Sequence, residues 1–273
     1  MKIRIVDAFA DRPFTGNPAG VVILDSGTFP EADRLQLVAS EVNLAETAFA
    51  HPLPPDGEAD WALRWFTPAT EVDLCGHATL ATAHVLHTTG TASGTVRYAT
   101  RSGILRTTAH ADGTLTLDFP TAPLTPVPAP PGLAEALGAS PVSLHDTGER
   151  IGDLLVELAD EAAVHALRPD FRALSACSRR GVIATAAATD PTGGYDFVSR
   201  GFFPRVGIDE DPVTGSAHTA LAPFWSARFG RDDLIGLQAS ARSGLVRTSL
   251  RGERTLLTGR AVTVIDGELL TGL

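Results

Sequence analysis

The sequence predicts an α/β (α+β) protein of two similar lobes, and three observations support this fold class. Short apolar runs separated by turn residues are typical of strands. A block that combines a strand, an acidic loop and a glycine-opened, alanine-rich helix occurs once in each half of the chain. A proline-rich stretch lies between the halves, and such a stretch favours extended geometry outside a sheet interior. Repetition of one supersecondary unit on both sides of this break predicts two pseudo-symmetric lobes.

The elements of the first half follow from the spacing of apolar and turn residues. Pro30 precedes a segment that would place Leu35, Val38 and Val42 on one face of a helix. The turn Ala111–Gly113 predicts a hairpin between the strands on either side of it. Strands are predicted at residues 3–9, 21–24, 61–66 and 115–119.

The repeated block has the pattern R-x-F-x-P, an acidic loop and then x-G-x-A. Its first copy runs over residues 64–78 and its second over residues 200–217. An alanine-rich run follows each copy and carries few charges, which is typical of a helix buried inside its lobe. We expect these helices to extend to about His87 and to about Phe229, with glycines ending them near Gly90 and at Gly230.

The prolines between positions 120 and 131 set the predicted domain boundaries. They indicate an N-terminal lobe over residues 1–120, a linker over 121–132 and a C-terminal lobe over 133–273. Whether the last few C-terminal residues return to the N-terminal lobe is left open.

Composition excludes several classes of function. The formal net charge is −10 and no run of basic residues is present, so nucleic acid is not an expected partner. No apolar run approaches the roughly 20 residues that span a bilayer, so no membrane association is expected. The 2 cysteines are too few for a disulfide framework or a thiolate metal cage. We therefore expect a cytoplasmic protein that binds no metal.

The glycine-opened helices predict a binding site for a carboxylate. The first N–H groups of a helix lack intrahelical partners, and the helix dipole adds partial positive charge there. Two such helix starts facing each other would hold an anion through the segments Gly76–Ala78 and Gly215–Ala217. The alternative, two ordinary buried helices that begin at glycine, stays open.

Four side chains near these helix starts can carry acid/base chemistry. His77 and Ser216 occupy equivalent positions in the two copies, and the dipole would favour a neutral imidazole at His77. Glu46 has small or apolar neighbours, and burial would raise its pKa towards the range useful for proton transfer. Asp211 precedes the second helix and either caps it or contacts substrate. Structural roles for each, including a solvated Glu46, remain alternatives.

Several motifs together carry a resemblance. Residues 6–9 with 14–21, then 43–49, 66–79 and 210–217, read VDAF, FTGNPAGV, NLAETAF, FTPATEVDLCGHAT and EDPVTGSA. In this order and over nearly the whole chain, they resemble the phenazine-biosynthesis PhzF-like family of isomerases and epimerases.

This resemblance implies the diaminopimelate-epimerase-like fold, in which two lobes each wrap a curved sheet around a central helix and the site lies between them. It also implies an isomerase without cofactor or metal, acting on a small carboxylate-bearing substrate, and a homodimer. When the family's residue roles are transferred to the matching motif positions, Glu46 is the proton shuttle, while His77, Asp211 and Ser216 orient substrate and proton. The implied substrate-binding residues are Asn17, Gly76, Ala78, Gly215 and Ala217.

Two other functions remain open from the sequence. Related racemases use two thiols, and here Cys75 is matched by Thr214, so a two-thiol racemase is disfavoured. A hydroxyproline-type dehydratase or epimerase that uses the Cys75/Thr214 pair remains an alternative, although Cys75 also fits a small buried position. The third possibility is a non-catalytic module that binds a small anion or a protein on the same fold.

Overall fold

The computed structural model describes residues 1–25, 27–190 and 192–270. The chain divides into two compact units. The first contains Met1–Asp118 together with the segment from Thr258 onwards, and the second contains Phe119–Leu257. The C-terminal strand therefore belongs to the first unit.

The first unit is a mostly antiparallel sheet with two helices. Its strands are β1 (Lys2–Ala8), β2 (Asn17–Ile23), β3 (Glu46–Pro52), β4 (Trp61–Phe66), β5 (Glu71–Val72), β6 (Thr95–Thr100), β7 (Gly103–Ala109) and β8 (Leu115–Pro120), with the C-terminal Ala261–Glu268 beside β1. Its helices are α1 (Ala32–Val42) and α2 (Gly76–Thr88).

Pairing in the first unit follows a defined order. Strand β2 pairs parallel with β3, β3 antiparallel with β4, β4 parallel with β6, and β6 antiparallel with β7. Helix α2 contacts β1, β2, β3 and β7. Its alanine, threonine and leucine side chains are buried around nearly the whole helix, which explains why the sequence there has no polar face.

The second unit contains the remaining elements. Its strands are β9 (Thr125–Pro126), β10 (Ser143–Asp146), β11 (Asp153–Glu157), β12 (Gly181–Ala187), β13 (Phe197–Phe203), β14 (Ile208–Asp211), β15 (Asp233–Gln238), β16 (Gly244–Arg251) and β17 (Arg254–Gly259). The last two residues of β17 belong to the first unit, as does the C-terminal strand Ala261–Glu268, which is β18. Its helices are α3 (Leu133–Leu137), α4 (Gly148–Ile151), α5 (Glu161–Ala166), α6 (Phe171–Leu174) and α7 (Gly215–Phe229), with a 3₁₀ turn at Pro204–Val206.

The second unit repeats the pairing order of the first. Strand β11 pairs parallel with β12, β12 antiparallel with β13, β13 parallel with β15, and β15 antiparallel with β16. Helix α7 contacts β11, β15 and β16 and is buried along most of its length. The predicted fold class, two similar lobes that each hold a central helix, is confirmed.

The proline-rich stretch is not a free connection. Residues 121–132, predicted as a linker, lie within the second unit. The backbone N–H groups of Thr121, Ala122 and Val127 donate to carbonyl oxygens elsewhere in that unit, at 2.8, 3.1 and 3.1 Å. Strand β9 adds an edge pairing to β10. Residues between the prolines retain their N–H groups, and these attach the segment to the unit.

Helix limits agree with the glycine signals in the sequence. Helix α2 ends at Thr88 shortly before Gly90, and α7 ends at Phe229 with Gly230 as a left-handed C-cap (φ 66°). Strand β4 has the predicted bounds, and β7 and β8 form the predicted hairpin. Among the residues described, no helix combines the length and apolar composition needed to cross a bilayer.

Candidate active site

The first unit places Glu46 beside His77. Helix α1 ends at Val42, and Asn43 then takes a left-handed conformation (φ 52°) that turns the chain into β3, whose first residue is Glu46. His77 is the second residue of α2. Its Nε2 lies 3.2 Å from Glu46 Oε2, with side-chain exposures of 6% and 13%. The two predicted acid/base groups are therefore in contact and largely shielded from water.

The other ring nitrogen of His77 faces two different groups. The amide nitrogen of Asn17, the first residue of β2, lies 3.2 Å from His77 Nδ1, and Cys75 Sγ lies 3.6 Å from the same atom. If Asn17 donates to Nδ1, the ring proton is on Nε2, the nitrogen 3.2 Å from Glu46 Oε2; this tautomer is assigned from the contact with Asn17. Asn17 thus orients the imidazole from 60 residues away.

Burial keeps His77 neutral. The surrounding protein disfavours the charged imidazolium and lowers the pKa of His77 to about 3. The contact with Glu46 is consequently not an ion pair at neutral pH. Although Nε2 is 3.2 Å from the carboxylate oxygen, it has no aligned hydrogen-bond partner.

The start of α2 lies directly beside this cluster. Cys75 is its N-cap residue in extended conformation (φ −144°) and makes no side-chain cap. The Cys75 carbonyl accepts two hydrogen bonds from Thr79, one from its backbone N–H at 3.2 Å and one from its side-chain Oγ1 at 2.5 Å. The amides of Gly76–Ala78 precede Thr79, whose N–H is the first to donate within the helix, so by position they lack an intrahelical acceptor and can stabilise negative charge.

The second unit holds Asp211 and Thr214 in a hydrogen-bond network. Thr214, the N-cap of α7, donates from Oγ1 to Asp211 Oδ2 at 2.5 Å. Gln238, the last residue of β15, accepts from the Thr214 backbone N–H at 2.8 Å. Its amide donates to the Asp211 carbonyl at 2.8 Å and lies 3.1 Å from Thr214 Oγ1. Gln238, which the sequence analysis did not single out, therefore positions both Asp211 and Thr214.

Ser216 is bound by an arginine that the sequence analysis missed. Arg180 donates from Nη2 to Ser216 Oγ at 3.0 Å and forms a two-pronged pair with Asp153, with Nε 2.8 Å from Oδ1. The guanidinium stacks 4.9 Å from the centre of the Phe203 ring. Asp153 is fully buried, and burial raises its pKa despite the partly compensating Arg180. The sequence offered one signal for this pair: Asp153 is the first residue of the apolar strand β11, and Arg180 directly precedes the apolar strand β12.

Strand register identifies the counterpart of Glu46 in the second unit. Thr47 pairs with Phe66, and Val182 pairs with Phe202. Because the two phenylalanines are equivalent in the repeated block, Gly181 occupies the position of Glu46. A Cβ at Gly181 would lie 2.0 Å from the Phe203 ring, so this position cannot hold a carboxylate without rearrangement.

The predicted site residues therefore form two sets. The first unit brings together Glu46, His77 and Asn17 beside the amides of Gly76 and Ala78. The second unit holds Asp211 with Thr214, and Ser216 with Arg180, at the Gly215–Ala217 start of α7. Asp73, in the acidic loop of the first copy of the repeated block, has a 75% exposed side chain.

Known proteins resemble this chain over nearly its whole length. The model of the phenazine biosynthesis-like protein family, PhzC-PhzF, matches residues 6–267. An uncharacterized isomerase of Pseudomonas aeruginosa is 48% identical over 265 residues, 97% of this chain and 96% of that protein. A crystal structure of a PhzF-family protein from Enterococcus faecalis has a TM-score of 0.90 and 40% identity, covering 99% of each chain.

A more distant structure shows the same fold. The hydroxyproline epimerase of Agrobacterium vitis, solved with bound trans-4-hydroxy-L-proline, has a TM-score of 0.63 over 98% of this chain and 91% of that chain. At 14% identity this likeness shows the fold alone.

Proposed function

Because this chain belongs to the phenazine biosynthesis-like (PhzC-PhzF) family, we propose that it is a cofactor-independent isomerase that moves a proton on a small substrate. The substrate carries a carboxylate and is an amino-acid-derived intermediate. The observation that carries this proposal is the contact between Glu46 Oε2 and His77 Nε2 at 3.2 Å, beside the start of α2.

Glu46 is the proposed proton shuttle. It removes a proton from a substrate carbon, so that a C–H bond breaks and an O–H bond forms on the carboxyl group. It then returns that proton to another carbon of the same allylic system; an epimerisation would need a second proton donor on the opposite face of the carbon. A shift on one face needs a single base, and the glycine at the equivalent position 181 of the second unit fits such a one-base reaction.

The neighbouring groups have supporting roles in this proposal. The neutral His77 ring lies 3.2 Å from the Glu46 carboxylate and does not neutralise it. Amides at the start of α2 stabilise negative charge that develops on the substrate carboxylate. Asp211 and Ser216 of the second unit are assigned to substrate binding. Because Ser216 Oγ accepts its hydrogen bond from Arg180, the hydroxyl proton of Ser216 can be donated to a substrate.

Deuterium incorporation tests the proposal. The protein is incubated in D₂O with a panel of small unsaturated and cyclic amino acids, and exchange at carbon is followed by NMR. We expect Glu46→Gln to slow exchange about 10²- to 10⁴-fold. Glu41→Gln, at an exposed position of α1, is the matched control and should exchange like the wild type. Unchanged exchange in Glu46→Gln would refute the assigned shuttle.

A second candidate function rests on Cys75. Its Sγ lies 3.6 Å from His77 Nδ1 and next to the start of α2. A hydroxyproline-type dehydratase or epimerase using Cys75 with Thr214 would lose exchange in Cys75→Ser and retain it in Glu46→Gln. Tight ligand binding with no exchange in any variant would instead favour a binding module.

The homodimer implied by the family remains part of the proposal. Sedimentation equilibrium of the full chain should give a molecular mass of twice 28.6 kDa. A concentration-independent monomer would contradict it.

A further inference from the structure

Three different donor types meet in the first unit: a thiol, an imidazole and a carboxylate. The ligand atoms of Cys75, His77 and Glu46 all lie within 4.8 Å of one another. We propose that this cluster is a binding site for a thiophilic divalent cation such as Zn²⁺. The proposal concerns metal binding and does not depend on the reaction assigned above.

The spacing of thiol and imidazole fits a single zinc ion. Zn–S bonds are about 2.3 Å and Zn–N bonds about 2.0–2.1 Å, so two such ligands at a tetrahedral angle lie about 3.6 Å apart. Cys75 Sγ and His77 Nδ1 are 3.6 Å apart. These two ligand atoms therefore already have the separation that the ion requires.

The second ring nitrogen of His77 has a carboxylate partner of the kind that metal-binding histidines commonly have. A histidine that binds a metal commonly donates its other ring N–H to a carboxylate, which fixes the tautomer and the ring orientation. Glu46 Oε2 lies 3.2 Å from His77 Nε2, whereas Cys75 Sγ is 3.6 Å from the other ring nitrogen, Nδ1. Cys75 and His77 are thus the direct ligands, and Glu46 orients the ring.

Asn17 provides a third ligand. Its amide nitrogen lies 3.2 Å from His77 Nδ1. A half-turn of this amide exchanges nitrogen for oxygen and brings Oδ1 to the same place, where it can bind the ion. Water completes the tetrahedron, and the thiol proton passes to the buffer as the Zn–S bond forms.

Donor chemistry and burial favour zinc over the hard cations. Magnesium and calcium prefer sets of oxygen ligands, whereas thiolate and imidazole suit zinc and its analogues cadmium and cobalt. His77 is only 5% exposed and Cys75 6%, so an ion bound by them would be largely shielded from water. Counting cysteines alone excludes a thiolate cage but not a mixed site, in which one cysteine suffices.

An ion here would also affect the proposed isomerase. It would occupy His77 and draw the imidazole N–H more firmly onto Glu46, so Zn²⁺ would act as an inhibitor. This consequence, unlike the binding itself, rests on the proposed function.

Cadmium titration tests the site without any substrate. Full-length protein is treated with chelator, freed of it and titrated with Cd²⁺ while the ultraviolet thiolate-to-cadmium absorption is recorded. We expect about one ion per chain, with the absorption lost in Cys75→Ser. Cys177→Ser, which alters the only other cysteine, is the matched control and should retain the full signal.

Zinc affinity then tests the arrangement around the ring. Competition with a chromophoric chelator should show Glu46→Gln binding about 10- to 100-fold more weakly than the wild type. His77→Gln provides a second direct-ligand variant in case Cys75→Ser fails to fold, although serine is itself a favourable N-cap. Absorption that survives in Cys75→Ser, or wild-type protein that shows no saturable binding, would overturn the proposal. Neither result bears on carbon exchange, so the two proposals can fail separately.

Discussion

The two units share one framework and differ in the chemistry attached to it. Arg64 pairs with Glu71 through two bonds of 2.7 Å, and Arg200 pairs with Glu210 through bonds of 2.7 and 2.9 Å. In each unit the guanidinium stacks on the phenylalanine of the repeated block, at 5.1 and 5.0 Å from the ring centre. These pairs anchor the strand that precedes each central helix.

Side chains at the helix starts differ between the units. Cys75 and His77 of the first correspond to Thr214 and Ser216 of the second. The next equivalent pair, Thr79 and His218, keeps the same contact in both units, since each side chain donates to the carbonyl of the N-cap residue at 2.5 and 2.8 Å. The scaffold contacts are thus retained while the residues with acid/base capacity are concentrated in the first unit.

The largest expected effect tests this division of roles. Once the deuterium screen has provided a substrate, we expect His77→Asn to lower kcat about 10²- to 10⁴-fold, because it removes the contact of Glu46. Ser216→Ala should mainly raise KM, by about tenfold, as loss of one hydrogen bond predicts. Equal losses of kcat in both variants would contradict the division.

Stability should distinguish the two arginine pairs. Arg200 also donates to the carbonyls of Val164 and Leu167, at 3.3 and 2.9 Å, so Arg200→Met should lower the free energy of unfolding by about 3–5 kcal/mol. Glu71 has a second partner in Arg101 at 2.6 Å, so Arg64→Met should cost about 1–3 kcal/mol. Urea unfolding measures both, with the exposed Arg172→Met as control. A larger loss in Arg64→Met would reverse the comparison.

Packing at position 181 provides a smaller effect. A methyl group there would lie 2.0 Å from the Phe203 ring, so Gly181→Ala should destabilise the protein by about 1–3 kcal/mol. Gly27→Ala is the control, because a Cβ at Gly27 meets nothing within 4 Å. Thermal unfolding that is unchanged in Gly181→Ala would show that Phe203 can move, and that glycine is not required at this position.

The buried histidines predict a pH dependence in both units. Burial lowers the pKa of His77 to about 3 and that of His218 to about 4, from an ordinary value of 6.5. Below pH 6.5 the unfolded chain binds protons that these folded sites refuse, so stability falls as the pH falls. Each histidine contributes up to about 1.4 kcal/mol per pH unit in this window.

Urea unfolding between pH 7 and pH 5 measures this dependence. His77→Gln and His218→Gln should each reduce the slope of stability against pH. An unchanged slope in both variants would show that these imidazoles take up protons as readily in the folded protein as in the unfolded chain.

Local sequence signals accounted for the repeated elements. The turn at Ala111–Gly113 and the stop at Gly230 could be predicted because glycine adopts conformations that end a strand or helix within a few residues. The doubled block predicted the repeated topology for the same reason, since each copy contains its own turn and helix signals. The placement of residues 121–132 was missed, because their partners are distant in sequence.

By itself, the sequence determined the fold class and the candidate residues Glu46, His77, Asp211 and Ser216. Only the tertiary structure decided which groups contact them: Asn17 on His77 and Arg180 on Ser216, across 60 and 36 residues. The tertiary structure also decided that Asp211 is buried while Asp73 is exposed. Periodicity and turn chemistry act over a few residues and are therefore visible in the sequence. Contacts between side chains depend on the pairing of distant strands, which no local pattern specifies.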